Sequence, residues 1–218
     1  CPAILDLAPP SCERIRTSHL TLEEVLPHLI KGQQSGRRVV RLHDGDTALY
    51  SAINEQICRL ADEDIPVEVI PGVSAYQAAS ASLASELTIP GVVQTIILSR
   101  TGGRTGVPDK EQLDHLAGIG ASLCLYLSAR HIESVQQTLL DHYPADTPVA
   151  IGYRVSWPDE WITVVPLSEM AQASRDRQLI RTTLYIVSPA LAGGTKRSRL
   201  YAPDHDHLFR PNRSGTVV

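Results

Sequence analysis

Three stretches of the chain gather residue types that bind polar ligands. His43-Asp44-Gly45-Asp46-Thr47-Ala48-Leu49-Tyr50 sets two carboxylates around a glycine. Between a strand and a helix, such a loop offers backbone N–H groups and a carboxylate to a polar ligand. Its other reading is an ordinary turn, with Asp46 as helix cap. Ile70-Pro71-Gly72-Val73-Ser74-Ala75 repeats the setting, with Ser74 placed either to cap the next helix or to bind. Two such loops leaving consecutive strands lie side by side and define a cleft. The third stretch, Ser99 to Lys110, carries Arg100, Arg104 and Lys110 around Gly102, Gly103 and Gly106. Arginine's fixed fork suits a ligand rich in carboxylates, and a solvated loop is the alternative. The order GxxxxGK[ST] is missing there, so no Walker phosphate loop is indicated, and the acidic first loop disfavours a phosphosugar or nucleotide.

These loops need elements to hold them. Residues 19–32 have a helical apolar stripe, with Thr21 as cap, Glu23 and Glu24 in the first turn, and Pro27 marking a kink or a late start. Arg37–Leu42 and Val67–Ile70 read as strands, and Ala48–Asp62 and Ser74–Leu87 as helices. The order strand–loop–helix, twice, predicts an α/β domain with ligands at the C-terminal strand ends. After Ile89-Pro90-Gly91, strands are expected at 93–99, 122–127, 147–154, 161–166 and 183–187. Helices are expected at 111–117, from Ser128 or His131 to Leu140, and at 167–173. Some of these strands are expected to pair antiparallel. Two α/β domains, 1–90 and 91–191, are therefore expected, followed by a polar, basic tail at 192–218.

Composition narrows the function. The chain of 218 residues has 20 basic and 24 acidic side chains, against the basic excess of a general polyanion binder. Cys1, Cys12, Cys58 and Cys124 form no CxxC pair, which argues against a zinc knuckle or redox dithiol and fits a reducing compartment. No apolar run of membrane-spanning length and no signal peptide is present, so the cytoplasm is the default. His43, Asp44 and Asp46 lack a further ligand at usable spacing, so no metal is expected. No GxSxG elbow appears. Trp157 and Trp161 flank Pro158-Asp159-Glu160 and clamp a turn or, less plainly, form a ligand platform.

Taken together, HLTLEE at 19–24, VVRLHDGDTALYSAINEQ at 39–56, VEVIPGVSAYQAASASLASELTIP at 67–90, QTIILSRTGGRTGVP at 94–108, WPDE at 157–160 and RSRLYAPDHDHLFRP at 197–211 resemble the tetrapyrrole methylase family. The resemblance implies a two-domain α/β fold with a cofactor cleft between the domains. It implies transfer of a methyl group from S-adenosylmethionine to a carbon of a precorrin, and a homodimer. By motif, Asp44, Gly45, Asp46 and Leu49 would hold the cofactor at the first loop, and Ser74 and Ala75 at the second. Leu127 and Val155 would line the second-domain side, and Thr183 and Leu184 would approach the adenine. Arg100, Arg104 and Arg154 are the implied contacts to substrate carboxylates; no catalytic base is nominated. Asp44 stands where the family usually has a small residue, and Thr47 where proline is usual. The family opens with an apolar strand and a GxGPGDxxLLT-like loop. Neither stands in this chain, so the first strand and loop of the N-terminal domain are expected to be missing.

Overall fold

The computed structural model describes residues 2–102, 106–194, 198, 202 and 205. It divides into two compact units, Cys1–Gln77 and Ala78–Val218. That division falls ahead of the joint expected at residues 90 and 91. Residues 78–90 are tied to the strands of the second unit: buried Ser122 Oγ donates to Leu87 O at 2.7 Å.

The first unit is helical among its described residues. Helix α1 spans Pro2–Leu5, α2 Leu22–Gln34 and α3 Ile53–Ala61, and α4 (Ala75–Ser82) begins within it. The expected cap of α2 forms as a reciprocal box. Glu24 N donates to Thr21 Oγ1 at 3.4 Å, and Thr21 N donates to Glu24 Oε2 at 2.7 Å. Pro27 sits inside the helix without ending it, while Val25 and Leu26 are buried. Helix α3 starts later than expected because Tyr50 and Ala52 take left-handed backbone, with φ of 56° and 49°. Helix α4 stops early at a Schellman turn: Ala84 has φ of 49°, and Ser85 N donates to Ser80 O at 2.9 Å.

Arg37–Leu42 and Val67–Ile70 correct the sequence reading. Both segments lack helix and strand structure and form no ladder among the described residues. Val39, Val40, Val67, Val69 and Ile70 remain exposed. Their β-branched residues favour extended backbone, but a strand exists only once a neighbour accepts its hydrogen bonds.

Among its described residues, the second unit is built on one five-stranded sheet. Its strands are β1 Ile96–Arg100, β2 Ser122–Tyr126, β3 Pro148–Tyr153, β4 Trp161–Pro166 and β5 Thr183–Val187, in the order β1-β2-β5-β3-β4. β1 and β2 run parallel through α5 (Leu113–Ala117). β5 pairs antiparallel with both β2 and β3, and β3 pairs antiparallel with β4, as the sequence suggested for this part. The register aligns Leu123, Val187 and Val149 in one row and Leu125, Tyr185 and Ile151 in the next. Helices α6 (Ile132–Leu140) and α7 (Met170–Asp176) contribute Val135, Leu139 and Met170 to the same core. The alternate residues Cys124, Ile186 and Ala150 are buried as well, so β2, β5 and β3 carry near-continuous apolar runs. Burial pushes the Cys124 thiol up to about 12, leaving it an inert core group. Two hydroxyls inside this core are paired: Tyr185 donates to Ser174 Oγ at 3.1 Å and Tyr143 to Ala121 O at 2.8 Å.

Ile151 lies in the central row with no exposed surface. Ile151→Val should lower unfolding free energy by about 1 kcal/mol without changing cofactor affinity, as read from urea denaturation and ligand titration. An unchanged urea midpoint would show that the row is not close-packed.

Candidate functional site

In the first unit, the two ligand-type loops are joined by a single carboxylate. Gly45 takes φ of 66°, which turns the chain and brings Asp46 round toward residues 70–75. Asp46 Oδ2 then accepts from Gly72 N at 2.8 Å, and Oδ1 accepts from Ala48 N at 2.8 Å. Asp46 therefore does not cap α3, which begins at Ile53 behind Ala52. The Gly72 N–H, and after it the Ala48 N–H, hold the Asp46 carboxyl below the usual carboxylate range. Gly72 fits because it has no side chain: a Cβ there would overlap the Gly45 carbonyl oxygen. Gly45 in turn lies against Ser74 and Val73, with a built Cβ 3.8 Å from Ser74 Cα. Ser74 is buried, and its N–H donates to Gln77 Oε1 at 3.0 Å at the head of α4.

The rest of the loop is held from below. Leu49 N donates to Asp46 O at 3.2 Å, and Ser51 Oγ donates to the same carbonyl at 3.2 Å. Arg41 Nε donates to Gln56 Oε1 on α3 at 3.2 Å. Partial burial, then the nearby Arg41 charge, lower the His43 pKa, so its imidazole is neutral at neutral pH. Asp44 and Gly45 are exposed, Asp46 and Leu49 half-buried. The structure thus brings Gly45, Asp46, Ser74 and the intervening Gly72 together. Among the described residues, no three or more His, Cys, Asp or Glu side chains gather as a metal site.

In the second unit, the expected residues meet at one end of the sheet. β1, β2 and β3 finish there and β4 and β5 begin there, with Arg100 opposite Tyr126 and Tyr153 opposite both Thr183 and Trp161. Four residues other than glycine adopt left-handed backbone at this end: Leu127 (φ 54°), Arg154 (49°), Ser156 (68°) and Thr182 (55°). Each such residue costs on the order of 1 kcal/mol, and such strain concentrates where a chain binds or reacts. Leu127 is 70% exposed and Val155 half-buried, whereas Thr183 and Leu184 lie inside the sheet.

The arginines are less free than their sequence suggests. Arg154 pairs with Asp159 at 2.6 Å and stacks over the Trp157 ring at 4.2 Å. Trp161 meets Arg177 at 4.3 Å, away from the 158–160 turn, while Trp157 bonds within that turn, its carbonyl accepting from Glu160 N at 3.0 Å. Glu160 closes the same turn, with Oε2 accepting from Ser156 N at 2.5 Å and Oε1 from Ser82 Oγ at 3.1 Å. Arg100 donates to the Gly106 carbonyl at 2.9 Å. Arg104 lies outside the described residues. An open groove of about 600 Å³ between α6 and α7, lined by Arg130, Glu133, Arg175 and Ile180, contains none of the expected site residues. It is too open to define a ligand by itself.

Sequence reasoning misses two long-range contacts near the expected residues, that of Asp46 with Gly72 and that of Ser128 with Thr101. In sequence, Pro71-Gly72 reads as a strand stop and Ser128 as a helix start. The available signal for both is a small residue just after an apolar, β-branched or aliphatic run.

Comparison with known proteins adds the chemistry. The family model of the Tetrapyrrole (Corrin/Porphyrin) Methylases matches residues 2–171. The chain is 41% identical over 198 residues to a precorrin-4 C(11)-methyltransferase of Pseudomonas aeruginosa, covering 90% of this chain and 79% of that one. It is 38% identical over 209 residues to a cobalt-precorrin-4 C(11)-methyltransferase of Methanocaldococcus jannaschii, covering 95% and 81%. Among solved structures, a cobalt precorrin-4 methyltransferase aligns with TM-score 0.84 and 34% identity, over 88% of this chain and 80% of that one.

Proposed function

The chain belongs to the tetrapyrrole methylase family, and on that footing we propose that it is a methyltransferase acting on C11 of precorrin-4 or its cobalt form in cobalamin biosynthesis. The observation that carries this reading is the match, over nine-tenths of the chain or more, to relatives named for that reaction. The methyl donor is S-adenosylmethionine, which when bound supplies a methyl already made electrophilic by its sulfonium.

The donor set fits such a group. Gly45 and Gly72 keep two loops close enough to present backbone to a ligand, and Asp46 holds them there. Leu127 offers exposed apolar surface. We assign Asp44, Gly45, Asp46, Leu49, Ser74 and Ala75 in the first unit to the cofactor. Leu127, Val155, Thr183 and Leu184 in the second are assigned to it as well. Because both Asp46 oxygens are engaged by backbone N–H groups, Asp46 serves the cofactor by shaping the loop. Arg100, Arg104 and Arg154 are assigned to the carboxylates of the tetrapyrrole. The work of the protein is then orientation and exclusion of water, not proton transfer by a named base. The reading includes a homodimer. It also includes a cytoplasmic setting, supported by free Cys12, Cys58 and Cys124 and by the absence, among described residues, of a helix long and apolar enough to cross a membrane.

Incubation with S-adenosylmethionine and precorrin-4, or cobalt-precorrin-4, should give a product carrying the new methyl at C11 by NMR. A methyl at C17 or C20 would move the chain to another methylase of the same fold. Binding of S-adenosylhomocysteine with no methylated product would make it a binding protein. Arg104→Ala should raise the tetrapyrrole KM about tenfold and leave S-adenosylhomocysteine affinity unchanged. Equal weakening of both would remove Arg104 from the substrate side.

A further inference from the structure

Ser128 lies just beyond the end of β2 and is fully buried. A serine hydroxyl has one donor and two acceptor sites, and here all three are used. Its Oγ donates to Tyr126 O at 2.7 Å. It accepts from Thr101 N at 3.2 Å and from Thr101 Oγ1 at 3.1 Å. The first bond spans Leu127, whose φ of 54° is costly for a branched side chain. The other two tie the end of β1, next to Arg100, onto the same point. Tyr126 O and Ser128 Oγ are thus bonded across Leu127, which is exposed at the strand end.

We propose that Ser128 is a positioning residue for cofactor binding: it holds Leu127 in the left-handed conformation in which that residue meets S-adenosylmethionine. The inference rests on the assignment of Leu127 to the cofactor. Ser128→Ala would leave Thr101 N–H, Thr101 O–H and Tyr126 C=O without their common partner. With those bonds gone, Leu127 relaxes toward the right-handed or extended backbone that suits it better.

The test is titration of S-adenosylhomocysteine into the purified chain, with thermal unfolding followed in parallel. Ser128→Ala should weaken binding about tenfold, and Ser128→Cys, which keeps a weak donor, should weaken it less. Glycine accepts φ of 54° without strain, so in a Leu127→Gly background the Ser128→Ala change should cost no more than about twofold. A full tenfold loss in that background overturns the proposal, because the effect would not pass through Leu127. So does a lowered Tm with unchanged affinity, which would mark Ser128 as a structural residue alone. If Ser128→Ala does not fold, the same comparison is made with Ser128→Cys. A wild-type chain that binds no S-adenosylhomocysteine refutes the cofactor assignment itself. A wild-type chain that binds it, beside an unaffected Ser128→Ala, refutes the role of Ser128 alone.

Discussion

Gly72→Ala should reduce methyl transfer about a hundredfold, with a matching loss of S-adenosylhomocysteine affinity. The collision is with backbone: the new methyl would overlap the Gly45 carbonyl oxygen and approach Asp46 Cα at 3.3 Å. No side-chain rotamer relieves that contact. The loops at 43–46 and 70–75 must separate, and the Asp46–Gly72 hydrogen bond lengthens or breaks with them. Both groups lie on exposed loops, so global stability should change little while binding collapses. A Gly72→Ala protein that binds S-adenosylhomocysteine like wild type would show that the close approach of the loops is not part of the cofactor site.

Asp46→Asn should weaken S-adenosylhomocysteine binding by about tenfold or more, about as severely as Asp46→Ala. The two carboxylate oxygens each accept from a backbone N–H, at Ala48 and at Gly72. An amide supplies one oxygen and one NH2, so whichever way it turns, a donor faces a donor. The same geometry sets a pH response. The folded-state pKa of Asp46 is depressed, chiefly by the Gly72 N–H. Its contribution is therefore present above the unfolded-state pKa of about 3.9 and is lost as pH falls through the lower folded value. Titration of binding downward through the acid range, below about pH 4, should show an acid limb in the wild type that Asp46→Asn lacks. An identical acid limb in both proteins would assign the titration to another group.

The second unit was largely legible in sequence. Runs such as Ser122–Tyr126 and Thr183–Val187 are apolar on both faces, and their central positions leave little choice but a buried strand. The Thr21–Glu24 box was legible because a cap is local. Features that depend on a distant partner were not. Arg37–Leu42 and Val67–Ile70 have strand composition, yet pairing is a property of two segments, and neither finds a ladder among the described residues. Asp46 has the local setting of a helix cap. Its real partner, Gly72, is 26 positions away, and Ser128 meets Thr101 across 27. Arg154 reads as a free cation because nothing in its spacing announces a stack on Trp157. Likeness to a family, by contrast, was carried by ordered motifs along most of the chain and needed no contact to be known.

The place of β5 has a consequence for biosynthesis. Among the described residues, the last of the five strands to be made sits between β2 and β3, which pair with it and not with each other. A ribosome that has released residues 96–166 has made every other strand of the sheet, but in two halves with a gap. Until residues 183–187 emerge, the facing edges of β2 and β3 have no native neighbour, and the nascent chain is open to wrong pairing. Closure of this sheet is therefore a late event with long-range contacts, and the yield of native protein should depend on how quickly translation of that strand is completed.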